Sequence, residues 1–173
     1  VADCPQFASI AKLSQIKQPD AAPSRAYLKI AQAFEYFHRD RDGHAIEIGS
    51  APGGASYFLL QQSLKVTGLD PAEMAEICLN NANFIHVKKS VQDVQPKDLS
   101  NDYSLMAIDT NLPALTSLRE TIRLASWSKN SLNEIFMTIK MPNPRQVRKL
   151  SSYANDFKRA GYKVIYKQLP SHH

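Results

Sequence analysis

From His44 onward, short apolar runs alternate with longer segments whose apolar positions fall three or four residues apart. Ala45 to Ile48, Val66 to Leu69, Phe84 to Val87, Tyr103 to Ile108, Ile135 to Ile139 and Val164 to Tyr166 predict six strands. The segments near 55–64, 72–80, 113–128 and 144–160 predict helices between them. Strands that alternate with helices favour a mostly parallel sheet with helices on both faces, so the expected class is α/β. Upstream, Ser24 stands where a helix N-cap belongs, and Tyr27, Ile30, Ala31, Phe34 and Phe37 recur at helical spacing through Arg39. The first 22 residues, with two prolines near their end, predict an irregular lead-in, which leaves 23–173 as the domain.

Composition narrows this picture without identifying a chemistry. With 173 residues, 43% of them hydrophobic, and no low-complexity run, the chain suits one domain with one core. A formal charge of +5 favours a polyanionic partner such as RNA, although many basic domains bind none. Cys4 and Cys78 form neither a metal pair nor a disulfide framework, and His86, within a strand, reads as a core or edge histidine. No metal is expected. No apolar stretch approaches the roughly 18 residues of a membrane helix, and no basic-then-apolar leader is present, so the expected location is cytoplasmic.

The strongest local signal is Glu47-Ile48-Gly49-Ser50-Ala51-Pro52-Gly53-Gly54, which follows a strand and opens a helix. Glycines at the carboxyl end of the first strand let the backbone turn sharply and lie close to a ligand, where doubly wound sheets bind cofactors. Asp70 closes the second strand about 20 residues beyond Gly49, the interval at which an acid meets a cofactor ribose. The glycine spacing is not that of a nicotinamide dinucleotide fingerprint, and Pro52 removes an amide donor that a pyrophosphate would use. A smaller adenosine ligand fits better.

The run Ser50-Ala51-Pro52-Gly53-Gly54 resembles the A-P-G-G motif of FtsJ-like methyltransferases. Pro23-Ser24-Arg25-Ala26-Tyr27-Leu28-Lys29, Ala107-Ile108-Asp109 and Phe136-Met137-Thr138-Ile139-Lys140-Met141-Pro142 resemble three further segments of that family. The resemblance runs over about 23–170 and implies a Rossmann-like fold that binds S-adenosylmethionine and methylates a ribose 2'-hydroxyl of RNA, most readily large-subunit ribosomal RNA, with S-adenosylhomocysteine as product.

Lys29, Asp109 and Lys140 match the first three members of the family's K-D-K-E tetrad. No glutamate follows Lys140, so the fourth has no match, and the family's seventh strand is missing from this chain as well. By the same carry-over, Glu47, Gly49, Ser50, Ala51, Pro52, Gly53, Gly54, Asp70 and Asp109 would hold the cofactor. The acid that meets the adenine falls by spacing on Ser90, with Asp93 the nearest carboxylate. Arg25, Lys29, Arg145 and Arg148 are candidates for RNA contact.

Taken singly, a lysine at a strand end is usually a solvated charge, and the same holds for Lys29 on an amphipathic helix. An aspartate closing an apolar strand is less ordinary, because α/β enzymes place catalytic groups there. A lysine acts as a base only where desolvation or a nearby cation favours its neutral amine, and Lys29 with a sulfonium would provide that field for Lys140. Two other readings stand beside the enzyme. One is a binding module that retains the S-adenosylmethionine and RNA sites without the fourth acid. The other is a nucleotide-dependent oxidoreductase, which the glycine spacing opposes.

Overall fold

A computed structural model of the chain describes residues 10–37, 42–128, 130–140 and 144–171, with the side chains of Ile10 and of residues 144–146 left aside. Five apolar runs become strands: β1 (His44–Ile48), β2 (Lys65–Leu69), β3 (Phe84–Val87), β4 (Leu105–Ile108) and β5 (Glu134–Met137). They pair in the order β3-β2-β1-β4-β5, and every pairing is parallel. Around them lie α1 (Ile10–Ser14), α2 (Ala26–Phe37), α3 (Gly54–Gln61), α4 (Glu76–Leu79), α5 (Ala114–Ala125) and α6 (Leu150–Arg159).

Side chains alternate across the sheet with the period of two that strands impose. Ala45, Val66, Leu105 and Ala107 face one side and pack with α2 and α3, whereas Ile46, Ile48, Leu69, Met106 and Ile108 face the other and pack with Leu124 and Ala125 of α5. Ile46, Leu59 and Leu64 are fully buried, each worth about 1.5–3 kcal/mol relative to exposure. Phe58 of α3 meets Tyr27 and Phe34 of α2 edge to face, at centroid distances of 5.3 and 5.1 Å.

The expected N-cap is present. Ser24 Oγ accepts from the Ala26 amide at 3.4 Å, and the Ser24 carbonyl begins the helical ladder to Tyr27. The helix is described as far as Phe37, so Arg39 lies outside the described residues, as do Cys4, Met141, Pro142 and the two terminal histidines.

Three expectations change. The predicted lead-in holds the short helix α1, whose Leu13 is fully buried with Ala33, Tyr36 and Leu169. The helix expected near 72–80 contracts to α4, because Ala75 stays extended and donates its amide to the Pro52 carbonyl at 2.9 Å while Met74 is buried beside Ser50. The run Val164–Tyr166 forms no strand, so six expected strands become five among the described residues. Alternating apolar residues favour extended chain but supply no partner edge. Here Leu169 and Ser171 instead fasten the segment across α2, leaving Ile165 and Tyr166 exposed.

The chain from β1 crosses to β2 on one side, and β4 enters on the other. That reversal of strand order opens a crevice above the carboxyl ends of β1 and β4.

Candidate active site

Register alone brings the predicted groups to one edge. Ile48 lies opposite Leu69 on one side and Ile108 on the other, and Ile108 lies opposite Met137. The residues that follow these strand ends therefore emerge together: Gly49 after β1, Asp70 after β2, Asp109 after β4 and Lys140 three residues past β5. The ladder continues briefly beyond the strands, with Gly49 donating to Leu69 and Asp109 donating to Ile48, both at 3.0 Å. Gly49 has φ +79°, and a Cβ there would stand 2.6 Å from the Asp109 carbonyl oxygen. A side chain at Gly49 would force apart the two strand ends that build the crevice.

The crevice has a volume of about 1080 Å³. Arg25, Lys29, Gly49, Ala51, Pro52, Asp70, Ser90, Asp109 and Lys140 line it. Lys29 reaches down from α2 and places Nζ 2.6 Å from Asp109 Oδ2. Lys140 Nζ stands 3.4 Å from Asp109 Oδ1, and it donates to Asn111 Oδ1 at 2.6 Å. Asp109 is largely buried, at 15% side-chain exposure, and its Oδ1 has no hydrogen-bond partner. One carboxylate thus faces two ammonium groups, which leaves a local excess of positive charge beside the cleft.

Asp70 is held by its own loop and by the turn after β1. Its Oδ1 accepts from the Ala72 amide at 2.8 Å and its Oδ2 from the Ala51 amide at 3.2 Å. Each carboxylate oxygen can accept more than one bond, so both retain capacity for a ligand hydroxyl. Across the cleft, Ser90 follows β3 on the wall, whereas Asp93 is exposed and outside the lining.

Four of the expected cofactor residues stand behind the wall rather than on it. Glu47 lies on the α3 side of β1, 1% exposed, with Oε2 accepting from Ser56 Oγ at 2.5 Å. Burial, chiefly, pushes its carboxyl from 4.5 up to about 8; Asp109 and Asp70 add to the rise, and bonds from Ser56 oppose it. Ser50 is buried and turns its hydroxyl to Met74. Gly53 lies against Cys78, and Gly54 lies against Ser24 at the start of α2. Sequence spacing named the whole turn because it cannot separate the atoms that face a ligand from those that support them.

Of the basic candidates, Arg25 lines the cleft, and Arg148 is exposed on the 3₁₀ turn that precedes α6. The side chain of Arg145 lies outside those described. Asn111 and Ser171 also line the cleft and were not anticipated. For Asn111 the available signal was a polar residue just past a strand end; for Ser171 there was none.

Ribosomal RNA large subunit methyltransferase M of Musicola paradisiaca and of Serratia proteamaculans are each 28% identical over 148 residues, which is 80% of this chain and 39% of theirs. The protein of the same name from Yersinia pestis is 26% identical over 158 residues, or 86% of this chain and 43% of its own. The chain thus spans about two fifths of the length of these relatives. Among solved structures, a candidate hemolysin from Lactococcus lactis matches with a TM-score of 0.61 at 19% identity, covering 83% of this chain and 76% of that one, which shows a shared fold. The sequence model of the FtsJ-like methyltransferases matches residues 22–140, the span that carries α2, all five strands and Lys140, and the chain belongs to that family.

Proposed function

We propose that this chain is the catalytic domain of an S-adenosylmethionine-dependent 2'-O-ribose methyltransferase acting on RNA, with large-subunit ribosomal RNA, and a cytidine ribose within it, as the target. The observation that carries the reading is the Lys29–Asp109–Lys140 cluster at the switch point, beside the Gly49 turn and Asp70. The names of the relatives support the choice of RNA.

The cleft fits the methyl donor on three counts. Its volume lies just above the roughly 300–1,000 Å³ of ligand pockets, leaving room for a second reactant. Asp70 keeps acceptor capacity for two ribose hydroxyls. Gly49 and Ala51, both half-buried, line it without bulky side chains. Bound there, S-adenosylmethionine supplies an electrophilic methyl on a sulfonium and becomes S-adenosylhomocysteine.

The protein's own groups do the rest. Asp70 holds the donor ribose, and Ser90 stands on the wall where the adenine would lie. Lys140 takes the proton of the ribose hydroxyl as that oxygen becomes nucleophilic. Lys29 offsets the charge that develops on the oxygen, and Asp109 fixes Lys29 in place. Arg25 at the cleft and Arg148 beyond it meet phosphates, which position the RNA without reading its sequence.

Two measurements test this. Calorimetry with S-adenosylmethionine is expected to give binding that Asp70→Ala weakens about ten-fold or more, the size of a lost charge-assisted hydrogen bond. Methyl transfer to an in vitro transcript of large-subunit RNA is expected to fall about 10²- to 10⁴-fold in Lys140→Ala, with donor affinity retained. Donor binding without transfer by the wild-type protein would favour a binding module. Failure to bind the donor would overturn the proposal.

A further inference from the structure

The two lysines of the cluster are held by different acceptors. Lys29 makes a contact ion pair with Asp109 Oδ2 at 2.6 Å, whereas Lys140 bonds to the neutral side-chain carbonyl of Asn111 at 2.6 Å. Lys140 remains 3.4 Å from Asp109 Oδ1, near enough to feel its charge but without a hydrogen bond to it, and that buried oxygen has no hydrogen-bond partner. We propose that Asn111 is a positioning residue that holds Lys140 out of contact with Asp109 and sets the direction of its amine, an inference that rests on the reading of Lys140 as proton acceptor.

The chemistry explains why an amide serves here. A carboxylate in contact with a lysine favours the ammonium form, which cannot accept a proton. An amide carbonyl accepts a hydrogen bond from the ammonium or from the neutral amine and adds no net charge. Anchored through one N–H to Asn111, the neutral Lys140 amine keeps its lone pair for the ribose hydroxyl. In the step served, the ribose oxygen bonds the methyl carbon while the carbon–sulfur bond breaks and its electron pair goes to sulfur. The hydroxyl proton passes to Lys140 and then to solvent.

Among the described residues, the charged groups that share the cleft with Lys140 are Asp109 after β4, Asp70 after β2, Lys29 of α2 and Arg25 just before it. Asn111 brings no charge to this set. It is exposed, and so is much of Lys140, so the contact adds little to stability and its removal leaves the core intact.

The test compares full-length wild-type protein with Asn111→Leu and Asn111→Asp. Acetylation of the lysine amines by an N-hydroxysuccinimide ester is followed across pH by mass spectrometry, with exposed Lys158 as the internal standard. Methyl transfer from tritiated S-adenosylmethionine to transcribed large-subunit RNA is followed over the same range. In Asn111→Leu, Lys140 settles onto Asp109, and its acetylation is expected to slow about three-fold relative to Lys158. Its kcat is expected to drop about ten- to a hundred-fold, with KM for the methyl donor unchanged. Asn111→Asp keeps an oxygen in place but adds charge, so its transfer should recover with rising pH, displaced by about one unit. Labelling and pH profiles that match wild type in both variants, with wild-type transfer intact, would overturn the role of Asn111 and leave the proposed function standing. Absence of transfer by the wild-type protein would overturn both.

Discussion

Glu47 shows how a residue can belong to a site without facing it. Its carboxyl, pushed up to about 8 mainly by burial, binds a proton in the folded chain that it would release above its ordinary 4.5 in the unfolded one. Between those values the folded state holds more protons, so stability falls as pH rises through the window and is fully retained only below it. Glu47→Gln keeps an acceptor for Ser56 and cannot ionise. Unfolding free energies from denaturant titrations at pH 5, 7 and 9 are expected to decline in wild type, by up to about 1.4 kcal/mol per pH unit, and to stay level in the variant. Parallel declines in both proteins would show that Glu47 titrates normally. The same acid borders Asp109 and Asp70 electrostatically, so its ionisation adds a third negative charge behind the cleft.

The join of α2 and α3 positions Lys29. A Cβ at Gly54 would stand 2.3 Å from Ser24 Oγ and 2.6 Å from the Ser24 carbonyl, so α3 can start against α2 only because that side chain is absent. Gly54→Ala is expected to cost about 1–3 kcal/mol, read by thermal or chemical denaturation, and to shift α2 with its lysine. Transfer should then fall further than donor affinity; loss of neither would show that the two helices separate freely.

Within these elements, what was legible followed from local pattern. All five strands fell within two residues of their predicted starts and ends, because each is a short apolar run, and the three central ones are buried on both faces. The Ser24 cap was readable from residue type, and Lys29, Asp109 and Lys140 were readable from the family motifs around them. What depended on a distant partner was not legible. Ala75 is held extended by its bond to the Pro52 carbonyl, Val164–Tyr166 is drawn across α2 by Leu169 and Ser171 rather than onto a sheet edge, and Asn111 meets Lys140 only through the register that joins β4 to β5. The inward side of Glu47 was within reach of period two, since Ala45 shares its face, but the motif drew it toward the ligand.

Both ends of the described chain are fastened to α2. Gln32, 3% exposed, donates through Nε2 to the Leu13 carbonyl at 3.2 Å and accepts through Oε1 from the Ser171 amide at 3.0 Å. Leu13 and Leu169 close the same small cluster with Ala33 and Tyr36. Gln32→Ala removes one of two bonds to the Leu13 carbonyl, which keeps the Ile16 amide, and leaves the half-buried Ser171 amide without this partner; it is expected to cost about 1–3 kcal/mol with faster hydrogen exchange at Ser171. Leu169→Ala is expected to cost about 2–5 kcal/mol by denaturant titration, although it lies beyond the span that the family shares. An unchanged midpoint in Leu169→Ala would mean that the terminal segment detaches in solution.

The Lys29–Asp109 contact joins residues 80 apart in sequence, one on a helix ahead of the sheet and one at the end of β4. Partly ordered forms in which either element is out of place have no such contact to offer. A molecule that needs the assembled crevice therefore selects the finished chain over every intermediate. At about a hundred times its dissociation constant, such a ligand favours the native state by about 2.7 kcal/mol. With the proposed methyl donor as that ligand, the reactant would act as a folding aid, and the fraction of chains that escape proteolysis would track its supply.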